Sequence, residues 1–109
     1  MHADHAIFLT ALESKHQVTI TFFHAKEARE ATLTCAPLDF GPLRGAQDGK
    51  ARYQLWDMGA KRPPYNVTVL PEDVRSIVAL ETAFDPAAII TWAFKPKAWA
   101  HPRNWGAFS

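Results

Sequence analysis

The sequence predicts a mainly β protein. One N-terminal α-helix precedes five short antiparallel strands that curl into a small barrel, and a short C-terminal helix and an extended tail follow. Three observations carry this reading. The hydrophobic period changes once, from three-and-four to two, near Val18. Runs rich in Val, Ile, Thr, Phe and Tyr then recur between clusters of Gly, Pro and Asp. The stretch Arg52-Tyr53-Gln54-Leu55-Trp56-Asp57-Met58 carries large groups at both parities, as a strand covered on both faces would. Closure into a barrel removes the exposed edges that a five-stranded open sheet leaves.

The helix is expected over residues 4–15, with Asp4 as N-cap accepting a free first-turn N–H. Ile7, Phe8, Ala11 and Leu12 give it an apolar face, while Thr10, Glu13 and Ser14 stay in water. At about three turns it is marginal alone and must dock on the barrel. Val18, Ile20 and Phe22 alternate with Thr19, Thr21 and Phe23 in the first strand. A polar turn over residues 24–28 leads into a second strand, 29–36, with Ala31, Leu33 and Cys35 on one face. Pro37, having no N–H to donate, is expected to end that ladder, with Leu38-Asp39-Phe40 extending the strand around a bend. Gln47-Asp48-Gly49-Lys50 is a turn tip before the central strand. Gly59 to Pro64 is a basic loop, and Tyr65, Val67 and Val69 alternate in a fourth strand. Pro71 to Val74 makes a compact 3₁₀ turn, and residues 75–81 form the fifth strand. Asp85-Pro86 starts a short helix running to Phe94, although Ile89, Ile90 and Thr91 oppose it. Beyond Lys95 the chain has little regular pattern.

The 109 residues fit one domain, divided as helix 4–15, barrel 17–81 and a tail 82–109 packed on the barrel or on a partner. A formal charge of +1 provides no global field for nucleic acid or anionic lipid, so such binding requires a local patch. The single cysteine, Cys35, excludes an internal disulfide framework and fits a reducing interior. The opening residues lack the basic and apolar regions of a secretory signal, and no apolar run approaches the roughly 20 residues of a membrane span. The expectation is a cytoplasmic protein that does not engage a membrane.

The combination of an N-terminal helix, Val18-Thr19-Ile20-Thr21-Phe22, Ala36-Pro37-Leu38, Arg52-Tyr53-Gln54-Leu55 and Val74-Arg75-Ser76-Ile77 resembles the WYL domain. The resemblance spans residues 5–81 and implies an Sm-type five-stranded barrel. It also implies a standalone member of a family whose barrels sit behind winged helices in bacterial transcription regulators and sense ligands, including nucleic acid or nucleotides. Gln54 stands where that family keeps its middle tyrosine. Val69-Leu70-Pro71-Glu72-Asp73-Val74 replaces its arginine-bearing run into the last strand, so two bidentate anion contacts are missing. With one helix before the barrel, a partner would have to supply any DNA reader.

No spacing supports catalysis, metal binding or a cofactor. His2 and His5 lack further ligands at motif spacing and read as a frayed N-terminus. His16 and His24 read as turn residues, Cys35 as a buried hydrophobe and Asp57 as a salt-bridge partner. The candidate ligand surface is basic and aromatic. Arg44, Lys50, Arg52, Lys61 and Arg62 lie in the loops at the two ends of the central strand, giving two patches; Lys95, Lys97, Trp99, Arg103 and Trp105 add the tail. Cations neutralise phosphates and tryptophans stack on bases. The competing reading is that the tryptophans pin the tail to the barrel or to a second subunit. The expectation is therefore a non-enzymatic regulatory module binding RNA, DNA or a nucleotide. The alternative is a structural protein whose aromatic tail drives homo-oligomerisation.

Overall fold

The computed structural model describes residues 2–109. Helix α1 (His5–Ser14) is followed by β1 (His16–His24), β2 (Arg29–Pro42), β3 (Ala51–Asp57), β4 (Asn66–Val69), a 3₁₀ turn (Pro71–Asp73) and β5 (Val74–Ala83); the one-turn α2 (Pro86–Ile89) and a final 3₁₀ turn (Gly106–Phe108) lie in the tail. The strands form one antiparallel sheet in the order β4-β3-β2-β1-β5. This is the mainly β architecture expected, with one difference. The edge strands β4 and β5 do not pair, so the sheet is open rather than a closed barrel. β4 has only four residues, and the 3₁₀ turn carries the chain from one edge to the other.

β2 organises the sheet because two neighbours share it. Its first half pairs with β1 from His24↔Arg29 to Val18↔Cys35; its second half pairs with β3 from Cys35↔Asp57 to Pro42↔Ala51. The strand therefore runs through Pro37 instead of stopping there. Pro37 stands opposite Leu55, the β1 pairing has already ended at Cys35, and a register shift between Pro37 and Asp39 absorbs the irregularity. The extension through Leu38-Asp39-Phe40 is as the sequence indicates.

Alternation sends Val18, Ile20, Phe22, Cys35, Tyr53 and Leu55 to one face, where all are buried. Helix α1 covers that face with Phe8, Ala11 and Leu12, and the Phe8 ring meets Tyr53 edge-on at 4.8 Å. Ile7 is 39% exposed, contrary to the expected helix face; the stripe that docks is centred one residue later. Asp4 stands at the N-cap position but does not cap. Its Oδ2 accepts the Ile77 backbone N–H of β5 at 3.0 Å, pinning the helix start to the sheet edge. The segment before the helix is tied down rather than frayed: the His2 N–H donates to the Tyr53 hydroxyl at 3.2 Å, and His5 Nδ1 lies 2.9 Å from the same oxygen.

Cys35 is fully buried, and burial, followed by the nearby Asp57 carboxylate, pushes its thiol up to about 12. Because the thiolate is the nucleophile, Cys35 is expected to resist iodoacetamide at pH 8 in the folded protein and to react fully in guanidinium. Rapid stoichiometric alkylation of the native chain, followed by mass spectrometry, would contradict the packing.

The C-terminal helix is shorter than its periodicity indicates. The Asp85 side chain accepts from the Ala87 N–H at 3.0 Å and Pro86 takes the first helical position, as expected. The helix then ends at Ile89, because the β-branched pair Ile89 and Ile90 is buried in the core instead of continuing the turn. Beyond it the tail lies along β2. A Cβ at Gly41 would sit 2.5 Å from the Ala100 Cβ, so the two backbones approach as closely as a glycine permits.

Candidate nucleic-acid interface

Of the tail residues that the sequence marks as basic and aromatic, Arg103 is held by one buried acid. Asp39 projects from β2 with its side chain 8% exposed. Its Oδ1 accepts from the Phe40 N–H (2.9 Å), the His101 N–H (2.9 Å) and Arg103 Nη2 (3.1 Å), and its Oδ2 accepts from the Ala100 N–H at 2.9 Å. The Arg103 side chain has no exposed surface; its remaining N–H groups donate to the Leu38 and His101 carbonyls. Its guanidinium lies over two indoles, 4.2 Å from the Trp99 centroid and 4.3 Å from that of Trp105. Burial pulls Arg103 down to about 10, and Asp39 opposes that pull. Trp105 is buried and donates Nε1–H to the Leu12 carbonyl at 2.9 Å, near the end of α1. Trp99 donates to the Phe108 carbonyl at 2.7 Å. Arg103, Trp99 and Trp105 thus fix the tail to its own chain. In this arrangement the guanidinium and the buried indole present no surface to a phosphate or a base.

The other sequence-marked cations fall into two groups. Arg52 is engaged: it forks onto Asp48 at 2.7 and 3.1 Å, and this pairing holds the Asp48 carboxyl well below the usual carboxylate range. Arg44, Lys50, Lys61, Arg62, Lys95 and Lys97 are exposed and form no ion pair among the described residues. Arg44 and Lys50 lie in the β2–β3 connection and Lys61 and Arg62 in the β3–β4 connection, at opposite ends of β3.

The loop that carries Lys61 and Arg62 joins two members of an aromatic group that the composition of the tail did not single out. Trp56, on the opposite parity of β3 from the buried Tyr53 and Leu55, stacks on Tyr65 with centroids 5.1 Å apart and planes 19° apart. Trp92 lies 6.2 Å from Trp56 and is 46% exposed. The loop bearing Lys61 and Arg62 runs directly from one member of the stack to the other, between residues 56 and 65. It is shaped by Pro63 and Pro64, joined by a cis peptide bond, and by Asp57 Oδ1, which accepts the Gly59 N–H at 2.9 Å. Two aromatics bracketing a basic loop was the available sequence signal. The contribution of Trp92, 27 positions after Tyr65, had none. Stacked rings bordered by free cations can hold a flat π-face and an adjacent anion together.

No family model matches the chain, and no curated protein matches it. Among solved structures, the proteasome accessory factor B/C (PafBC) of Arthrobacter aurescens is similar, with a TM-score of 0.61 at 14% sequence identity. The match covers 83% of this chain and 13% of that one, so the likeness is to the fold of a segment of a much longer protein. No helix among the described residues is long and apolar enough to cross a membrane.

Proposed function

We propose that this chain is a non-enzymatic regulatory module of the WYL/Sm-like type that binds single-stranded RNA or DNA at the β3–β4 loop. The observation carrying the reading is the stack of Trp56 and Tyr65 with half-exposed Trp92, two members of which are joined by the loop that carries Lys61 and Arg62, neither of which has an ion-pair partner among the described residues. One or two bases stack on the exposed indole and the two cations take the flanking phosphates; this combination of a π-face and a basic groove tolerates many sequences. The sequence resemblance to the WYL domain supports the assignment. The fold shared with a segment of a larger protein also suits a module. The two arginines missing from the Val69–Val74 stretch move the proposed contacts away from the family's usual anion site and onto this loop.

The test is an anisotropy titration of a fluorescent 12-nucleotide single strand. Binding is expected at low salt and should fall steeply as salt rises, because each neutralised phosphate releases counterions. Lys61→Glu with Arg62→Glu should abolish it. Trp92→Ala should weaken it by about 1–3 kcal/mol, the usual contribution of one stacked base. Absence of binding at 20 mM salt, or affinity unaffected by the double charge reversal, would sink the proposal.

A further inference from the structure

The two edges of the sheet are finished differently. On β5 the outward N–H of Ile77 is taken by the Asp4 carboxylate at 3.0 Å. The edge of β4 carries no such plug. The Asp57 N–H donates to the Tyr65 carbonyl at 2.8 Å, so alternation makes Leu55↔Val67 and Tyr53↔Val69 the hydrogen-bonded pairs of this ladder. Asn66 and Thr68 therefore aim N–H and C=O away from β3, and among the described residues no group outside the sheet meets them. Such groups are a template for one more strand. Because β4 and β5 do not pair, this edge opens on a cleft of about 620 Å³. The sequence assigns His24 to a turn; the structure carries β1 through it, paired with Arg29, and the long β1–β2 hairpin forms the far wall. From β2 only Arg29, Ala31 and Leu33 reach the cleft, all of one parity, whereas Asn66, Val67, Thr68 and Val69 all do. The cleft thus sees a face of the hairpin and the edge of β4. Ala31 and Leu33 lie on the core side of β2 yet stay half-buried, so that face lacks part of its cover.

We propose that the β4 edge takes up an extended peptide from a partner protein as a sixth, antiparallel strand, with apolar side chains at alternate positions and a basic residue toward each end. The main chain of the peptide bonds to Asn66 and Thr68. Its residues opposite Val67 and Val69 turn to the core side, onto Ala31 and Leu33. The charges around the cleft select the sign. Glu27 is paired with Arg29 at 2.8 Å and Arg52 with Asp48 at 2.7 Å, so these cancel. The charged groups on the cleft without an ion pair among the described residues are Lys26, in the hairpin loop, and two carboxylates, Asp57 and Asp73. Asp57 is bonded to Tyr65, just before β4, and Asp73 closes the 3₁₀ turn that follows β4. An acid thus lies off each end of the edge, where a strand laid along it meets them with Lys or Arg. A second copy of this chain fits less well, because β1 and Asp4 already hold the two sides of its other edge strand at Ile77.

The probe is the end-capped peptide Lys-Val-Thr-Val-Thr-Val-Arg, titrated into the full chain and followed by amide chemical shifts. Saturable shifts are expected at residues 66–69 and at Ala31 and Leu33. Hydrogen exchange at the Asn66 and Thr68 N–H groups should slow about tenfold or more as they gain acceptors. In an antiparallel pair the peptide's threonine N–H groups face β4. N-methylating both should weaken binding about tenfold or more, while N-methylating the central valine, whose N–H faces away, should be tolerated. Exchanging the terminal Lys and Arg for Glu should weaken binding about two- to fivefold, and Asp73→Lys should narrow that difference. Thr68→Pro removes an outward donor without touching a bond to β3, and should abolish binding in a folded protein. No binding at about 1 mM peptide, equal affinity for the threonine-methylated peptide, tighter binding of the glutamate-ended peptide, or wild-type affinity in folded Thr68→Pro would each overturn the proposal. So would self-association of the chain alone that protects the same two amides, since the occupant would then be a second copy.

Discussion

Asp39→Ala is expected to lower the free energy of unfolding by about 3–5 kcal/mol, measured by guanidinium titration, because it strands a buried guanidinium without its counter-charge. The Arg103 side chain has no exposed surface, and the acid also accepts three backbone N–H groups, those of Phe40, Ala100 and His101. All four donors lose their acceptor at once. Asp39→Asn keeps the shape and one acceptor oxygen and should cost less. Replacing both partners, Asp39→Leu with Arg103→Met, should recover part of the loss, because a buried pair is costly to break but gains little over well-packed apolar groups. A loss below about 1 kcal/mol for Asp39→Ala would mean that the tail simply swings away and that the lock contributes little.

Trp105→Ala should cost a similar amount, about 3–5 kcal/mol, through the cavity left by a buried indole. The ring packs edge-on against Phe84 at 5.5 Å and Trp99 at 5.8 Å, and its N–H satisfies the Leu12 carbonyl near the end of α1. Trp105→Phe should restore part of the packing but not that hydrogen bond. Since Trp105 and Asp39 both bear on Arg103, the two alanine variants combined should fall short of the sum by about 0.5–3 kcal/mol. Full additivity in a double-mutant cycle would refute the sharing.

What the sequence made legible was local. Alternation at Val18–Phe22 and Tyr65–Val69, proline punctuation at Pro71 and the cap at Asp85 each depend on neighbours a few positions away, and the strands, the 3₁₀ turn and the start of α2 are found where those signals lie. The errors came where a distant partner outweighed a local preference. Asp4 left its capping role for Ile77, 73 positions away. Pro37 stayed inside a strand because β1 had already stopped pairing there. The buried isoleucines cut α2 to one turn. The candidate site divided in the same way. Exposed lysines and arginines could be named from composition, but Arg103 could be told from Lys61 only once Asp39, 64 positions earlier, was seen to hold it. Trp92 joined Trp56 across the fold with no signal in the chain between them.

The lock on Asp39 also fixes an order of events in time. Its partners in the tail lie 61 to 64 positions further along the chain, and the bond from Trp105 to Leu12 spans 93. Closing loops of that length is entropically slow compared with forming the β1–β2 hairpin or the β3–β4 pair. During synthesis, the acid on β2 must wait for its tail partners until residues 100–103 have left the ribosome, because chains emerge from the N-terminus. Until then Asp39 stays hydrated and Gly41, which packs against Ala100 in the mature fold, lies uncovered. The nascent sheet is thus vulnerable to sticking along the part of β2 that the tail later lines.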